Sequence, residues 1–169
     1  KRYPQAYMGM GETAENVAEK YSISRAEQET FAVESQRKSA HAQSSGMLRE
    51  EITSIQGLAG DVVLDGCIRP DTTTESLSEL KPAFSETGSV TAGTSSPLTD
   101  GAAAVLVTTE DFAHKNAIEP LARIKSIAVA GCLPEIMGIG PVAASRKALK
   151  RANITADDLD VIELNEAFS

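Results

Sequence analysis

Ala102-Ala103-Ala104-Val105-Leu106-Val107 is an apolar run of strand length, followed by a short helical stretch around Asp111 to Asn116 and a second apolar run from Ala122 to Val129. Beyond it, Gly138-Ile139-Gly140-Pro141 sets a proline where the first turn of a helix accepts one, because the ring fixes φ and the missing N–H would have no partner there anyway. That helix is expected to run to about Arg151. Thr155 then caps a turn leading into Val161-Ile162-Glu163-Leu164, expected as a buried strand. Apolar strands alternating with helices give an α/β fold in which helices cover a sheet.

Upstream, the first fifty residues are helical in character. Thr13 is expected to cap a short helix through Tyr21, and Ser24-Arg25-Ala26-Glu27 is a capping box that opens a longer one. Phe31, Val33, Gln36, Ala40 and Ala42 follow before Ser44-Ser45-Gly46 ends it, so the helix is only weakly amphipathic. Glu27, Glu34, Arg37 and Lys38 form a solvated face. Between residues 51 and 100, Gly, Pro, Ser and Thr replace helix formers, and apolar runs shrink to Ile52-Thr53-Ser54-Ile55 and Val62-Val63-Leu64. A long irregular stretch loses entropy that a binding role offsets. The sequence shows no internal repeat and no low-complexity tract.

The 169 residues are 41% hydrophobic but only 4% aromatic, without Trp, so the core is built from Ala, Val, Leu and Ile. A net charge of -8 argues against a broad nucleic-acid surface, which needs clustered Lys and Arg. It leaves room for a local cationic rim around an anionic ligand. The two cysteines, Cys67 and Cys132, sit in no CxxC or Cys/His pattern, so neither a zinc site nor a disulfide framework is expected, and reduced thiols fit best. No apolar run approaches the roughly 18 residues of a membrane span, and a soluble protein is expected. Lys1 is not an initiator Met, and Ser169 follows closely on an apolar segment, so further chain is expected beyond these residues.

Four local sequences occur in order: Met10-Gly11-Glu12-Thr13-Ala14-Glu15-Asn16, Gly88-Ser89-Val90-Thr91-Ala92-Gly93-Thr94-Ser95-Ser96, Met137-Gly138-Ile139-Gly140-Pro141, and Asn165-Glu166-Ala167-Phe168. Taken singly, each has a plain structural use: Asn165 suits a helix cap, the Gly/Ser stretch a tight surface turn, and the methionines core filling. As an ordered set across essentially the whole chain they resemble the thiolase family, most closely the 3-ketoacyl-CoA thiolases (acetyl-CoA C-acyltransferases) of fatty-acid β-oxidation. The resemblance implies that Asn165 orients a water toward the thioester oxygen as an enolate develops; an oxyanion donor of this kind contributes roughly 3–4 kcal/mol. Ala167 and Phe168 belong to the same wall, with Phe168 equally suited to the core, and Glu166 is expected as a buried structural carboxylate. Ala92 and Ser96 would contact the pantetheine arm, with Leu98 near its thiol end. Arg69, Ser76, Leu80, Ala83 and Phe84 match positions around the nucleotide end of coenzyme A, where Arg69 supplies a permanent cation and Phe84 with Leu80 an apolar face. Met10 and Met137 match methionines near the substrate.

A thiolase also needs a nucleophilic Cys, an acid/base Cys and a His in a GHP segment, and none of these contexts occurs here. Cys67 and Cys132 do not match, nor do His41 and His114 on their surface helices. The fold implied is a layered αβαβα thiolase fold, with residues 1–98 as most of an inserted loop-rich, helical coenzyme A-binding domain, 99–120 as the end of the first half and 121–169 as the start of the second. The reaction implied for a complete enzyme is thiolysis of 3-ketoacyl-CoA, with coenzyme A as substrate and no metal or other cofactor. The alternatives are biosynthetic acetoacetyl-CoA formation and a non-catalytic acyl-CoA-binding relative. Partners implied are acyl-CoA, coenzyme A, and a second copy of the chain or a β-oxidation partner subunit; nucleic acid is not among them. The compartment implied is the cytoplasm of a bacterium, or the peroxisome or mitochondrion of a eukaryote.

Overall fold

The computed structural model describes residues 2–58 and 60–169. The chain divides into two compact units, one of Lys1–Pro97, Pro134–Gly138 and Leu164–Ser169, the other of Leu98–Leu133 and Ile139–Glu163.

In the first unit, helix α1 (Met10–Tyr21) starts earlier than expected. Gly9 holds the cap position and donates its amide to Glu12 Oε2 at 2.8 Å. Glu12 thus secures the start of the helix, and Thr13, expected as the cap, lies inside the first turn instead. There it is 4% exposed and donates its hydroxyl to Met10 O at 2.7 Å. Helix α2 (Arg25–Ser44) opens on the expected box: the Ser24 amide and hydroxyl donate to Glu27 Oε2 at 2.8 and 2.6 Å, and the Glu27 amide donates back to Ser24 Oγ. It ends before Gly46, whose φ of +81° suits glycine alone at low cost.

The face that α2 buries is not the apolar one. Gln28, Glu29 and Ala32 are its buried residues, while Phe31 is half exposed. Glu29 is tolerated because Arg25 Nε donates to Glu29 Oε1 at 2.6 Å, so the burial carries no unpaired charge. The same guanidinium donates through Nη2 to the carbonyls of Leu77, Ser78 and Leu80 at 2.9, 3.0 and 2.6 Å. It thereby closes the C-terminal end of helix α3 (Thr74–Ser78), where carbonyls lack intrahelical donors. The core of this unit joins Ala18, Ala32, Leu77, Val90 and Ile136 with the polar Thr13, Gln28, Glu29, Thr91 and Thr94. Strands β1 (Ile55–Gly57) and β2 (Gly60–Val62) form a small antiparallel hairpin, with Ile55 opposite Val62.

The second unit holds helix α4 (Glu110–Lys115), capped by Thr109, whose Oγ1 accepts from the Phe112 amide at 3.2 Å, and helix α5 (Gly140–Ala152) with Pro141 in its first turn as expected. Ala113 of α4 is buried. The segment before α5 is tied to it by side chains: Ser126 Oγ donates to Ala148 O, and Lys147 Nζ and Arg151 Nη1 donate to the carbonyls of Val129 and Ile127. Thr155 opens a turn by donating its amide and hydroxyl to Asp158 Oδ2. The three strands expected at 102–107, 122–129 and 161–164 carry no strand pairing among the described residues, where the ladder is β1 with β2 alone. Val161 to Leu164, expected as buried, is exposed, with Val161 at 75% and Leu164 at 65%. A strand exists only through a neighbouring strand bonded backbone to backbone, and among the described residues none pairs with these runs.

Candidate functional site

The site is built in the first unit, where two motifs far apart in sequence meet. In the Gly88–Ser96 loop, Thr91, Thr94 and Val90 are the most deeply buried side chains of that unit. The loop is closed on itself: the Thr91 amide donates to Thr94 Oγ1 at 2.9 Å, and Ser95 Oγ donates to Thr91 O at 2.7 Å. Ala83 ties it to the preceding chain by donating its amide to Val90 O at 2.9 Å. Its far end pairs with the last motif. Ser95 and Phe168 form an antiparallel bridge, the Ser96 amide donates to Ala167 O at 2.9 Å, and the Ser169 amide donates to Thr94 O at 3.0 Å.

These two strips and helix α2 line an open polar cleft of about 310 Å³. Ser35, Gln36 and Ser39 line it from α2, Gly93 to Pro97 from the loop, Cys67 and Ile68 from the irregular stretch, and Asn165, Glu166 and Ser169 from the last motif. Of the residues expected at the site, the cleft therefore brings together Asn165 and Ser96. Asn165 is exposed, and its side-chain amide has no hydrogen-bond partner among the described residues. Residues 166–169 after it are not helical. Glu166 corrects an expectation: it is exposed, not buried, and Ser35 Oγ donates to its Oε2 at 2.5 Å, because it lies at the rim where α2 meets the motif.

The other expected residues fall around this centre. Phe168 stands edge-on to Phe84, ring centroids 5.9 Å apart at 83°, and a Cβ on Gly11 would come within 2.1 Å of the Phe84 ring. Phe84 therefore links the first and last motifs. Leu80 lies against the loop, since a Cβ on Gly93 would meet Leu80 Cδ1 at 2.8 Å and Leu77 Cδ2 at 2.4 Å. Ser76 is committed to the α3 cap, donating its hydroxyl to Thr73 O and accepting from the Thr73 amide. Arg69 is exposed; its amide donates to Gln36 Oε1 at 2.7 Å, and its guanidinium makes no ion pair among the described residues. Ala92 is exposed on the loop, and Met10 is half exposed at the first position of α1. Met137 is also partly exposed in the first unit, and Leu98, fully exposed, belongs to the second.

Sequence reasoning passed over Glu15, Gln28 and Ser35, which bond the two motifs from α1 and α2. Glu15 lies within the first motif, but nothing local marks its carboxylate as the partner of a loop some 75 residues away. Gln36 was visible only as part of a helical pattern. Among the described residues no cluster of His, Cys, Asp or Glu is arranged to hold a metal ion.

The chain matches the model described as "Thiolase, N-terminal domain" over residues 3–111 and the one described as "Thiolase, C-terminal domain" over residues 118–169. It is 53% identical over 164 residues to an acetyl-CoA acetyltransferase of Paracoccus denitrificans, covering 95% of this chain and 42% of that protein. It is 48% identical over 175 residues to a 3-ketoacyl-CoA thiolase of Idiomarina loihiensis, covering all of this chain and 45% of that protein. The structure superposes on human mitochondrial 3-ketoacyl-CoA thiolase in complex with CoA with a TM-score of 0.92 at 43% identity, over 95% of this chain and 41% of that one. The chain thus spans less than half the length of the relatives it matches. It has the thiolase fold, and with both domain models matched in order along it, the chain belongs to the thiolase family.

Proposed function

We propose that the complete protein is an acyltransferase that cleaves 3-ketoacyl-CoA with coenzyme A, giving acetyl-CoA and an acyl-CoA two carbons shorter, and that it serves fatty-acid β-oxidation. The observation that carries this is the pairing of Ser95 with Phe168, which leaves the unpartnered amide of Asn165 and the loop residue Ser96 on one cleft. In the proposed chemistry a cysteine thiolate from outside these residues adds to the 3-keto carbon. The bond between C2 and C3 breaks, and its electron pair passes onto the thioester oxygen as an enolate, which an acid then protonates at C2 to release acetyl-CoA. A second coenzyme A gives up its thiol proton, and its sulfur takes the acyl group while the cysteine leaves, so the covalent intermediate divides one hard step into two. Asn165 would hold a water that donates to the enolate oxygen, a fixed dipole aimed at charge that develops as the C2–C3 bond breaks. Ala92 and Ser96 would line the pantetheine arm, and Arg69, Leu80 and Phe84, with Ser76 and Ala83, the nucleotide end. No step calls for a metal or a redox group.

Support comes from the relatives' names, which include 3-ketoacyl-CoA thiolase at 48% identity. Replacing Asn165 by Ala in the complete protein is expected to lower kcat about 10²- to 10³-fold with little change in KM, as for loss of an oxyanion donor. An unchanged kcat would remove Asn165 from the mechanism. A second reading, the same steps run backward to condense two acetyl-CoA units, is favoured by the acetyl-CoA acetyltransferase at 53% identity. Rates with acyl chains of increasing length separate the two, since a strict preference for acetoacetyl-CoA would overturn the β-oxidation assignment.

A further inference from the structure

The Gly88–Ser96 loop is fastened at both ends, and the fastening at its start belongs to α1. Glu15 spends both carboxylate oxygens on it: Oε1 accepts the Val90 amide at 3.0 Å, and Oε2 accepts the Ser89 amide at 2.9 Å and the Ser89 hydroxyl at 3.3 Å. That hydroxyl in turn accepts from Gln28 Nε2 at 2.8 Å, and Gln28 is only 2% exposed. Glu15 makes no ion pair among the described residues, so its charge is met by these dipoles on the loop itself. The close approach depends on Gly88, where a Cβ would lie 2.1 Å from Glu15 Oε1 and 2.5 Å from its Cδ. A carboxylate that accepts two consecutive backbone amides sets the direction of the chain leaving them, because hydrogen bonds to a charged acceptor are the short and directional ones. The chain that leaves runs through Ala92 to Ser96, whose amide is bonded to Ala167.

We propose that Glu15 is a positioning residue, acting with Gln28, that fixes the Ala92–Ser96 backbone in the register that receives the pantetheine arm of coenzyme A. This rests on the thiolase reading above. It extends that reading to a residue of α1 that lines no part of the cleft.

The test is made in the complete protein. Glu15→Gln keeps the size of the side chain but turns an NH₂ donor toward one of the two amides. KM for coenzyme A is expected to rise about tenfold, the equivalent of one charge-assisted hydrogen bond's worth of ordering, while kcat at saturating substrate stays within about threefold. Gly88→Ala, which displaces the carboxylate without altering it, is expected to raise KM to a similar extent. Glu15→Asp, which keeps the charge on a shorter arm, is expected to fall between Glu15→Gln and the parent protein, and it carries the same test if Glu15→Gln fails to fold. A KM within twofold of the parent in these variants overturns the proposal, as does a loss of kcat and thermal stability with KM unmoved, which marks a merely structural carboxylate. If the parent protein itself does not bind coenzyme A, the thiolase reading fails and this inference fails with it. Variants unchanged beside a parent that binds overturn the role of Glu15 alone.

Discussion

Arg25 shows how one side chain can hold this unit together. Its guanidinium pairs with Glu29 at 2.6 Å and accepts the task of closing α3 at three carbonyls. Arg25→Met removes the donors yet leaves Glu29, 6% exposed, charged and unpaired. Breaking a buried pair in this way costs about 3–5 kcal/mol, and the partial exposure of Arg25 brings the expected loss down to about 2–3 kcal/mol. Urea unfolding of the complete protein should show it, and Glu29→Met added to Arg25→Met should recover part of the loss by removing the stranded charge. A double variant as unstable as the sum of the two single ones would mean the pair is not coupled. No sequence pattern exposes this pair, because an Arg and a Glu four apart on a helix read as a solvated surface couple; only the arrival of Leu77 to Leu80 buries it. Glu166 was misjudged for the opposite reason. It follows closely on the apolar Leu164 and precedes Ala167 and Phe168, yet it sits at a rim and meets Ser35 of α2.

At the scale of elements, what was legible followed from short-range chemistry. The box at Ser24, the stop at Gly46 and the proline of α5 each act within one helical turn, so the sequence alone locates α2 and α5 closely. The start of α1 was misplaced because Gly9 with Glu12 three residues on competes with Thr13 for the cap, and the carboxylate wins. The Ser24 box also predicts a pH dependence. The Ser24 hydroxyl and then its amide donate to Glu27 and hold its carboxyl below the ordinary value of 4.5. The folded helix thus binds fewer protons than the unfolded chain near that pH. The cap contributes its stability above 4.5 and loses it as pH falls through the lower folded value. Carbon NMR should find Glu27 titrating below 4.5, and Ser24→Ala should move it upward; titration at 4.5 in the parent would show that the box does not form.

For the whole molecule, the family and the meeting of the last motif with the glycine-rich loop stand together. The apolar runs tell a different story. Val105 at 86%, Val129 at 83% and Val161 at 75% exposure are β-branched residues of strand character with no strand beside them among the described residues. The apolar character of these runs is legible in the sequence, but whether they pair is not, since a ladder depends on chain distant in sequence. Exposed runs of this kind are open templates for association, which a net charge of -8 opposes only in part. Produced as these 169 residues alone, the protein is therefore expected to bind a hydrophobic dye and to self-associate as its concentration rises, whereas the complete protein should do neither to the same degree. Replacing Val105 and Val161 by Lys in the 169-residue chain should weaken both signals while leaving the α2 cap and the Ser95–Phe168 bridge in place. Dye fluorescence and light scattering read the outcome. A chain that stays monomeric and dye-free without those substitutions would mean that the runs are covered by rearrangement within the chain, and that the exposure of the second unit is not its state in solution.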